Sequence, residues 1–326
     1  MNAVSPGEGS STGAGPARHE DVPPELAGER LDVALSRLFG ISRTTAADLV
    51  AARQVLVDGR PVAKSDRLAE GAHLSVRFTQ AVEEPVAIAA VVPGLRILHL
   101  DDDIAVIDKP VGVAAHPSPG WEGPTVLGHF AASGITLARS GPAERAGIVH
   151  RLDAGTSGVM VLARSEHAYR VLKVAFAERT VAKTYHALVQ GHPDPSTGTI
   201  DAPIGRHPHA DYRMAVVAGG RESVTHYRTL SAHRFASLLE VELETGRTHQ
   251  IRVHMAAVDH PCVGDATYGA DPVLSERLGL TRQWLHAVRL GFTHPGSREQ
   301  VTFESSYPGD LQVALDRVAD VSTTYT

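Results

Sequence analysis

His150-Arg151-Leu152-Asp153-Ala154-Gly155-Thr156-Ser157-Gly158, followed by Val159-Met160-Val161-Leu162-Ala163, sets one carboxylate in a turn that leads into an apolar run. Gly, Thr and Ser favour the turn, and five consecutive apolar residues favour a buried strand behind it. A cation, Arg151, lies two positions before the acid. An acid placed this way, at the tip of a rigid element, is open to chemistry. The same residues allow a plainer reading, in which Asp153 only caps a backbone group of its own turn.

The composition around this stretch bounds what the chain can be. Of its 326 residues 43% are hydrophobic but only 5% aromatic, so a sizeable core can form, built mainly from Val, Leu, Ala and Ile. A net charge of -6 argues against a generic polycation that coats nucleic acid, and it leaves room for a local basic face. The single cysteine, Cys262, excludes a disulfide within the chain and a cysteine-based zinc site. That usage fits a reducing cytoplasm. Beside Pro261, the thiol reads as packed rather than reactive. No stretch has the apolar length needed to span a bilayer. The first residues are rich in Gly, Ser, Ala and Pro and lack the apolar segment of a signal peptide. Residues 1–20 are therefore expected to be a disordered leader.

Residues 21–80 read as a small separate unit. Leu31, Ala34, Leu35 and Leu38 recur at helical spacing, Gly40 stops that helix, and Ser42 can cap a second one carrying Ala46, Leu49 and Val50. The period then changes. Val55-Leu56-Val57-Asp58-Gly59-Arg60-Pro61-Val62 reads as strand, tight Asp-Gly turn, strand, and a further strand runs from His73 to Phe78. Arg43, Arg53, Arg60, Lys64 and Arg67 lie among the acids Asp48, Asp58, Asp66 and Glu70, a mixture that by itself is a solvated surface. Residues 81–94, with Pro85 and Pro93, read as a linker. From 95 to 326 strands and helices mix without a regular βα repeat and without a Gly-rich nucleotide loop. The fold class expected is α+β, with a mixed, mainly antiparallel sheet rather than a doubly wound one.

Two further stretches carry polar groups in unusual density. Thr245-Gly246-Arg247-Thr248-His249-Gln250-Ile251-Arg252-Val253-His254 follows a segment in which Leu239, Val241 and Leu243 alternate with Glu240, Glu242 and Glu244. His249 and His254 are five apart, not at the i, i+4 spacing of a helical metal pair, and no Glu lies between them as in a metalloprotease helix. Asp101-Asp102-Asp103 departs from a calcium-loop pattern and reads as a polar turn between two strands. No metal site is expected. Ala182-Lys183-Thr184-Tyr185-His186-Ala187-Leu188-Val189 places Tyr185 at the head of an apolar strand, where an ordinary core tyrosine would also sit.

Taken together, these stretches resemble the RluA/RluD group of pseudouridine synthases. HRLD with its TSG turn is similar to the catalytic motif of that family, TGRTHQIRVH and KxYxALV match two more of its motifs, and Asp108-Lys109-Pro110-Val111-Gly112-Val113 with His116 resembles its KPxG segment. Weaker matches at Val263-Gly264-Asp265, Tyr268-Gly269 and Trp284-Leu285-His286 extend the likeness over most of the chain. The 21–80 unit resembles an S4-type RNA-binding domain, which points to the RluD branch. One departure is Ala154-Gly155, where the family often has Lys-Asp, and it is expected to alter the electrostatics of the turn without loss of chemistry.

The resemblance implies roles. Asp153 is the catalytic acid, Arg252 its salt-bridge partner, which favours the charged carboxylate and fixes its rotamer. Tyr185 stacks on the target base, with its hydroxyl a candidate for late proton removal. Arg151 fills the gap left when the target nucleotide leaves its helix. Arg43, Arg53, Arg60, Lys64 and Arg67 become candidate phosphate contacts. The implied activity is isomerisation of uridine to pseudouridine in large-subunit ribosomal RNA or its precursor particle, by a cytoplasmic monomer needing no cofactor. Two rivals follow from the residues alone. A non-catalytic RNA-binding or ribosome-assembly protein needs only the S4-type unit. A hydrolase using Asp and His needs a metal or a Ser or Cys nucleophile.

Overall fold

A computed structural model describes residues 14–39, 41, 43–79, 87–118, 121–141, 145–208 and 210–323. The chain divides into two compact units, Met1–Glu84 and Pro85–Thr326. Among the described residues no helix is long and apolar enough to cross a membrane.

The smaller unit holds strands β1 (Ala14–Asp21), β2 (Val55–Val57), β3 (Arg60–Pro61) and β4 (His73–Thr79) with helices α1 (Leu31–Phe39) and α2 (Arg43–Ala51). Leu31, Ala34 and Leu35 on α1 and Ala46, Leu49 and Val50 on α2 bury against Val55, Leu74 and Val76, as their helical spacing requires. Asp58 and Gly59 have φ of 49° and 76°, the backbone of a two-residue hairpin turn that matches strand twist. The expected stop at Gly40 and cap at Ser42 lie outside the described residues.

The N-terminal expectation needs correction. Residues 14–20, read as leader, belong to β1, which pairs antiparallel with β4 in a sheet of order β1-β4-β2-β3. Backbone groups of the sheet edge recruit this segment whatever its composition. Cross-strand contacts then hold it: the His19 and His73 rings stack at 5.3 Å, and Arg18 lies 5.3 Å over the Phe78 ring. Residues 1–13 lie outside the described residues.

The larger unit is built on a sheet of order β5-β6-β7-β14-β8-β13-β12-β9, with β15 beside β14. Its strands are β5 (Arg96–Leu100), β6 (Ile104–Lys109), β7 (Ser157–Ala163), β8 (Ala182–Gln190), β9 (Thr197–Asp201), β12 (Val224–Ala232), β13 (Ala236–Leu243), β14 (Leu285–Thr293) and β15 (Gln300–Glu304), and a separate hairpin pairs β10 (Ile204–His207) with β11 (Ala210–Val216). The helices are α3 (Val126–Ala132), α4 (Glu166–Ala177), α5 (Gln250–Ala257), α6 (Pro272–Leu278) and α7 (Gly309–Thr323). Adjacent strands run antiparallel except β7 and β14, which are parallel. The expected mixed, mainly antiparallel α+β fold is what the chain adopts.

Central strands are buried on both faces, which explains their unbroken apolar runs. Ala105, Ile107, Met160 and Leu162 face one core with Phe130, Val189, Val241 and Met255. Ile104, Val106, Val159 and Val161 face another with Leu172 of α4 and Phe292. Cys262 is fully buried, and burial pushes its thiol up to about 12, so the packed reading holds. The expected linker 81–94 is shorter than the composition suggests. Its first residues lie outside the described ones, but Val92 is buried in the larger unit's core, and its N–H donates to His129 Nδ1 at 3.0 Å. Burial of Val92, with Ile88 and Val91 left exposed, is enough to dock the segment.

Candidate active site

The turn ahead of β7 is fixed from every side. The Thr156 N–H donates to Asp153 O at 3.0 Å, and the Gly112 N–H donates to Ala154 O at 2.8 Å. Arg282 Nη1 donates to Gly155 O at 3.1 Å, while its Nε and Nη2 bind Asp310 at 2.7 and 3.0 Å. Gln283 Nε2 donates to Thr156 Oγ1 at 3.2 Å. A β-carbon at position 155 would lie 2.7 Å from Gln283 Oε1, so the Ala154-Gly155 departure is matched by the side chain that packs over it. Gly158 has φ of 118°, and a β-carbon there would come within 2.2 Å of Ala287 O. Only glycine lets β7 approach β14 this closely.

Asp153 emerges from this frame into a cleft of about 480 Å³. Its side chain is 19% exposed. Arg252, near the start of α5, donates from Nη1 to Asp153 Oδ2 at 3.4 Å. The other donors of Arg252 go to Asp265, from Nε at 2.6 Å and Nη2 at 2.9 Å. Burial opposes the Arg252 charge, but the Asp265 hydrogen bonds and the Asp265 and Asp153 carboxylates raise its pKa above the ordinary value. The expected pair is therefore a triad in which Asp265 holds the guanidinium and Asp153 receives its remaining arm. His249 Nε2 stands 3.9 Å from Asp153 Oδ2.

Tyr185, on β8, lines the same cleft and is nearly buried. Burial, and then the Asp153 carboxylate, push its hydroxyl upward, so in the resting protein it is a proton donor. Arg151 is exposed at the cleft and donates to His116 Nε2 at 3.5 Å. His150 also lines the cleft but is committed to the frame. Its Nε2 accepts the Val161 N–H at 3.0 Å and its ring stacks on Phe176 at 4.6 Å. Burial, then Lys183, lower it to about 3, which keeps that nitrogen free to accept.

The four residues placed at this site by sequence thus meet in one cleft: Asp153, Tyr185, Arg252 and Arg151. Arg43, Arg53, Arg60, Lys64 and Arg67 lie in the smaller unit and are all exposed. Arg43 is engaged with Asp32 at 3.0 Å and Arg67 donates to Gly28 O at 2.6 Å. Sequence reasoning assigned no role to Asp265, Tyr268, Arg282 or Gln283. The signal for the first two was present in the VGD and YG matches, but their function depends on what the loop touches.

The cleft wall has a strong charge bias. Arg145, Arg151, Lys173, Lys183, Arg221, Arg247 and Arg252 line it, and among the described residues Asp153 is its one carboxylate. His249 and His254 have separate partners: His249 meets Tyr268, whereas His254 bonds Thr225 and Ala202 O. Among the described residues, His99, Asp101 and His294 come close enough to suggest a metal. However, Asp101 Oδ2 already bonds both imidazoles, at 2.6 and 2.9 Å, and His294 Nδ1 accepts the N–H groups of Gly296 and Ser297. A neutral imidazole that accepts at Nδ1 carries its proton on Nε2, so His294 turns a donor and not a ligand toward Asp101. The Asp103 and Ile104 N–H groups donate to Asp101 Oδ1 at 2.8 Å, as a polar turn between strands requires.

Comparison with known proteins fits this geometry. A family model described as RNA pseudouridylate synthase matches residues 103–257, and an S4 domain model matches residues 29–74. An uncharacterized RNA pseudouridine synthase of Mycobacterium tuberculosis is 59% identical, over 91% of this chain and 97% of its own length. Ribosomal large subunit pseudouridine synthase D of Xanthomonas campestris is 41% identical, over 94% of this chain and 93% of its own. Among solved structures, human RNA pseudouridylate synthase domain containing 1 superposes with a TM-score of 0.56 at 26% identity, over 72% of this chain and 97% of that one.

Proposed function

The chain belongs to the RNA pseudouridylate synthase family, and from that premise we propose that it isomerises specific uridines of large-subunit ribosomal RNA, with Asp153 as its one essential acid. The reading is carried by the cleft itself: one carboxylate among the described residues, engaged by Arg252 at 3.4 Å, within a wall of cations. A polyanion is drawn to such a rim. Its base has to leave the stack to reach an acid at the cleft floor. The Tyr185 ring offers that base an aromatic face, worth about 1–3 kcal/mol per stacked base. Arg151, exposed at the cleft, gives up its 3.5 Å contact with His116 to enter the vacated position in the RNA.

The reaction breaks the bond from C1′ to N1, joins C1′ to C5, releases the C5 proton to solvent and leaves N1 carrying a proton, so no atom is gained or lost overall and uridine is the only substrate. The relatives named ribosomal large subunit pseudouridine synthase D support ribosomal RNA as the target. The S4-type unit, with Arg53, Arg60 and Lys64 exposed, adds sequence-independent phosphate affinity.

The test is tritium release from [5-³H]uridine-labelled ribosomal RNA taken from cells lacking this protein. The wild-type protein is expected to release tritium at defined sites, and Asp153→Asn to lose more than about a thousandfold in rate. A normal rate in Asp153→Asn would overturn the assignment.

A further inference from the structure

His249 occupies an unusual backbone position. It precedes α5 with φ of 56° and ψ of 22°, the left-handed region. A non-glycine residue held there costs about 1–3 kcal/mol, and such positions gather where function requires them. The conformation aims the imidazole into the cleft, where Nε2 stands 3.9 Å from Asp153 Oδ2.

The other ring nitrogen is tied down. His249 Nδ1 meets the Tyr268 hydroxyl at 2.7 Å, and the Tyr268 oxygen accepts the Met214 N–H at 3.1 Å. A backbone N–H can only donate. Of these two partners, only Nδ1 can therefore accept the phenolic proton. With Nδ1 accepting, the proton of the neutral ring sits on Nε2 and faces Asp153. Burial lowers the imidazole below its ordinary value despite the pull of Asp153, which keeps it in this neutral form. The Tyr268 ring also carries Arg252, whose guanidinium lies 4.9 Å from the ring centroid. One tyrosine thus orients both neighbours of Asp153.

We propose that His249 is a second hydrogen-bond donor to the Asp153 carboxylate, with Tyr268 as the positioning residue that sets its tautomer, and that the two donors on Oδ2 leave Oδ1 for the substrate. This rests on the reading of Asp153 as the acid that meets the uridine. The gap of 3.9 Å closes to a hydrogen bond when the RNA expels water from the cleft, since hydrogen bonds of this kind tighten in the bound state.

The test combines a spectroscopic and a kinetic measurement. In protein labelled with ¹⁵N-histidine, the His249 ring is expected to show the Nε2–H pattern at neutral pH, and Tyr268→Phe is expected to shift it toward a tautomer mixture. With ribosomal RNA, Tyr268→Phe and His249→Leu should lower kcat about tenfold or more, with KM changed less than about threefold. His249→Gln, whose amide nitrogen reaches the place of Nε2, should recover most of that loss. An unshifted ring spectrum in Tyr268→Phe, or a His249→Gln protein as slow as His249→Leu, would sink the proposal. The ring spectrum needs no turnover. A wild-type protein that makes no pseudouridine would defeat the functional reading while leaving the tautomer assignment standing or falling on its own.

Discussion

Asp265 takes two of the Arg252 donors, at 2.6 and 2.9 Å, and leaves a single arm for Asp153 at 3.4 Å. The shorter bonds go to the fully buried carboxylate and the longer one to the carboxylate in the cleft. Arg252 is therefore anchored independently of Asp153, and the site's charge is in place before any substrate arrives. Asp265→Ala removes the anchor and strands a buried guanidinium. Loss of one partner of a buried pair costs roughly 3–5 kcal/mol, so urea unfolding should show a fall of that order. Asp153→Asn, at a partly exposed position, should change stability by less than about 1 kcal/mol in the same experiment.

Tyr185 separates two contributions. Tyr185→Phe keeps the aromatic face and Tyr185→Leu does not. Stacking of one base is worth about 1–3 kcal/mol, so Tyr185→Leu should lose roughly 5- to 150-fold in kcat/KM on a ribosomal RNA fragment. Any loss in Tyr185→Phe reports on the hydroxyl alone. Equal losses in the two variants would remove stacking as the role of the ring.

Gly158→Ala tests the seam under the acid. The new methyl would sit within 2.2 Å of Ala287 O, at a φ of 118° that alanine avoids. The strand must shift or unpair, and a fall of about 3 kcal/mol or more in unfolding free energy is expected. Tritium release should fall with it, because the turn holding Asp153 is continuous with the displaced strand.

Lys109 gives the protein a pH signature. It is fully buried, its ammonium donating to Val113 O at 2.7 Å and Pro110 O at 3.0 Å. Burial lowers it from 10.5 to about 7, opposed by Asp153. Between those values the unfolded chain holds a proton that the folded chain has released. Stability should therefore rise with pH across that window, by up to about 1.4 kcal/mol per unit from this group. Below it both states are charged and the penalty is complete; above it the penalty is gone. Lys109→Met should flatten that slope in urea unfolding followed from about pH 7 to pH 10. An unchanged slope would show that the lysine keeps its charge on folding.

Much of this was legible in the chain. Asp58-Gly59 announced its hairpin because the turn needs two positive φ angles that these residues adopt easily. The run Val159–Ala163 announced a doubly buried strand. What sequence could not carry was partnership across loops. Asp265 is an acid between a glycine and an alanine until α5 brings Arg252 against it. The left-handed turn at His249 leaves no mark in composition, since histidine is not a residue that requires it. β1 is illegible for the same reason: edge pairing uses backbone groups, which every residue supplies.

The parallel pairing of β7 with β14 joins Ser157 to His286 and Gly158 to Ala287. Those partners are separated by well over a hundred residues of chain, and ribosomes make protein from the N-terminus at roughly 5–20 residues per second. During synthesis Asp153 emerges many seconds before the strand that braces its turn. The S4-type unit, complete within the first 84 residues, has all its own strands long before then. A nascent chain can thus acquire its RNA grip well ahead of its chemistry, and a protein shortened before Ala287 would hold RNA it has no means to modify.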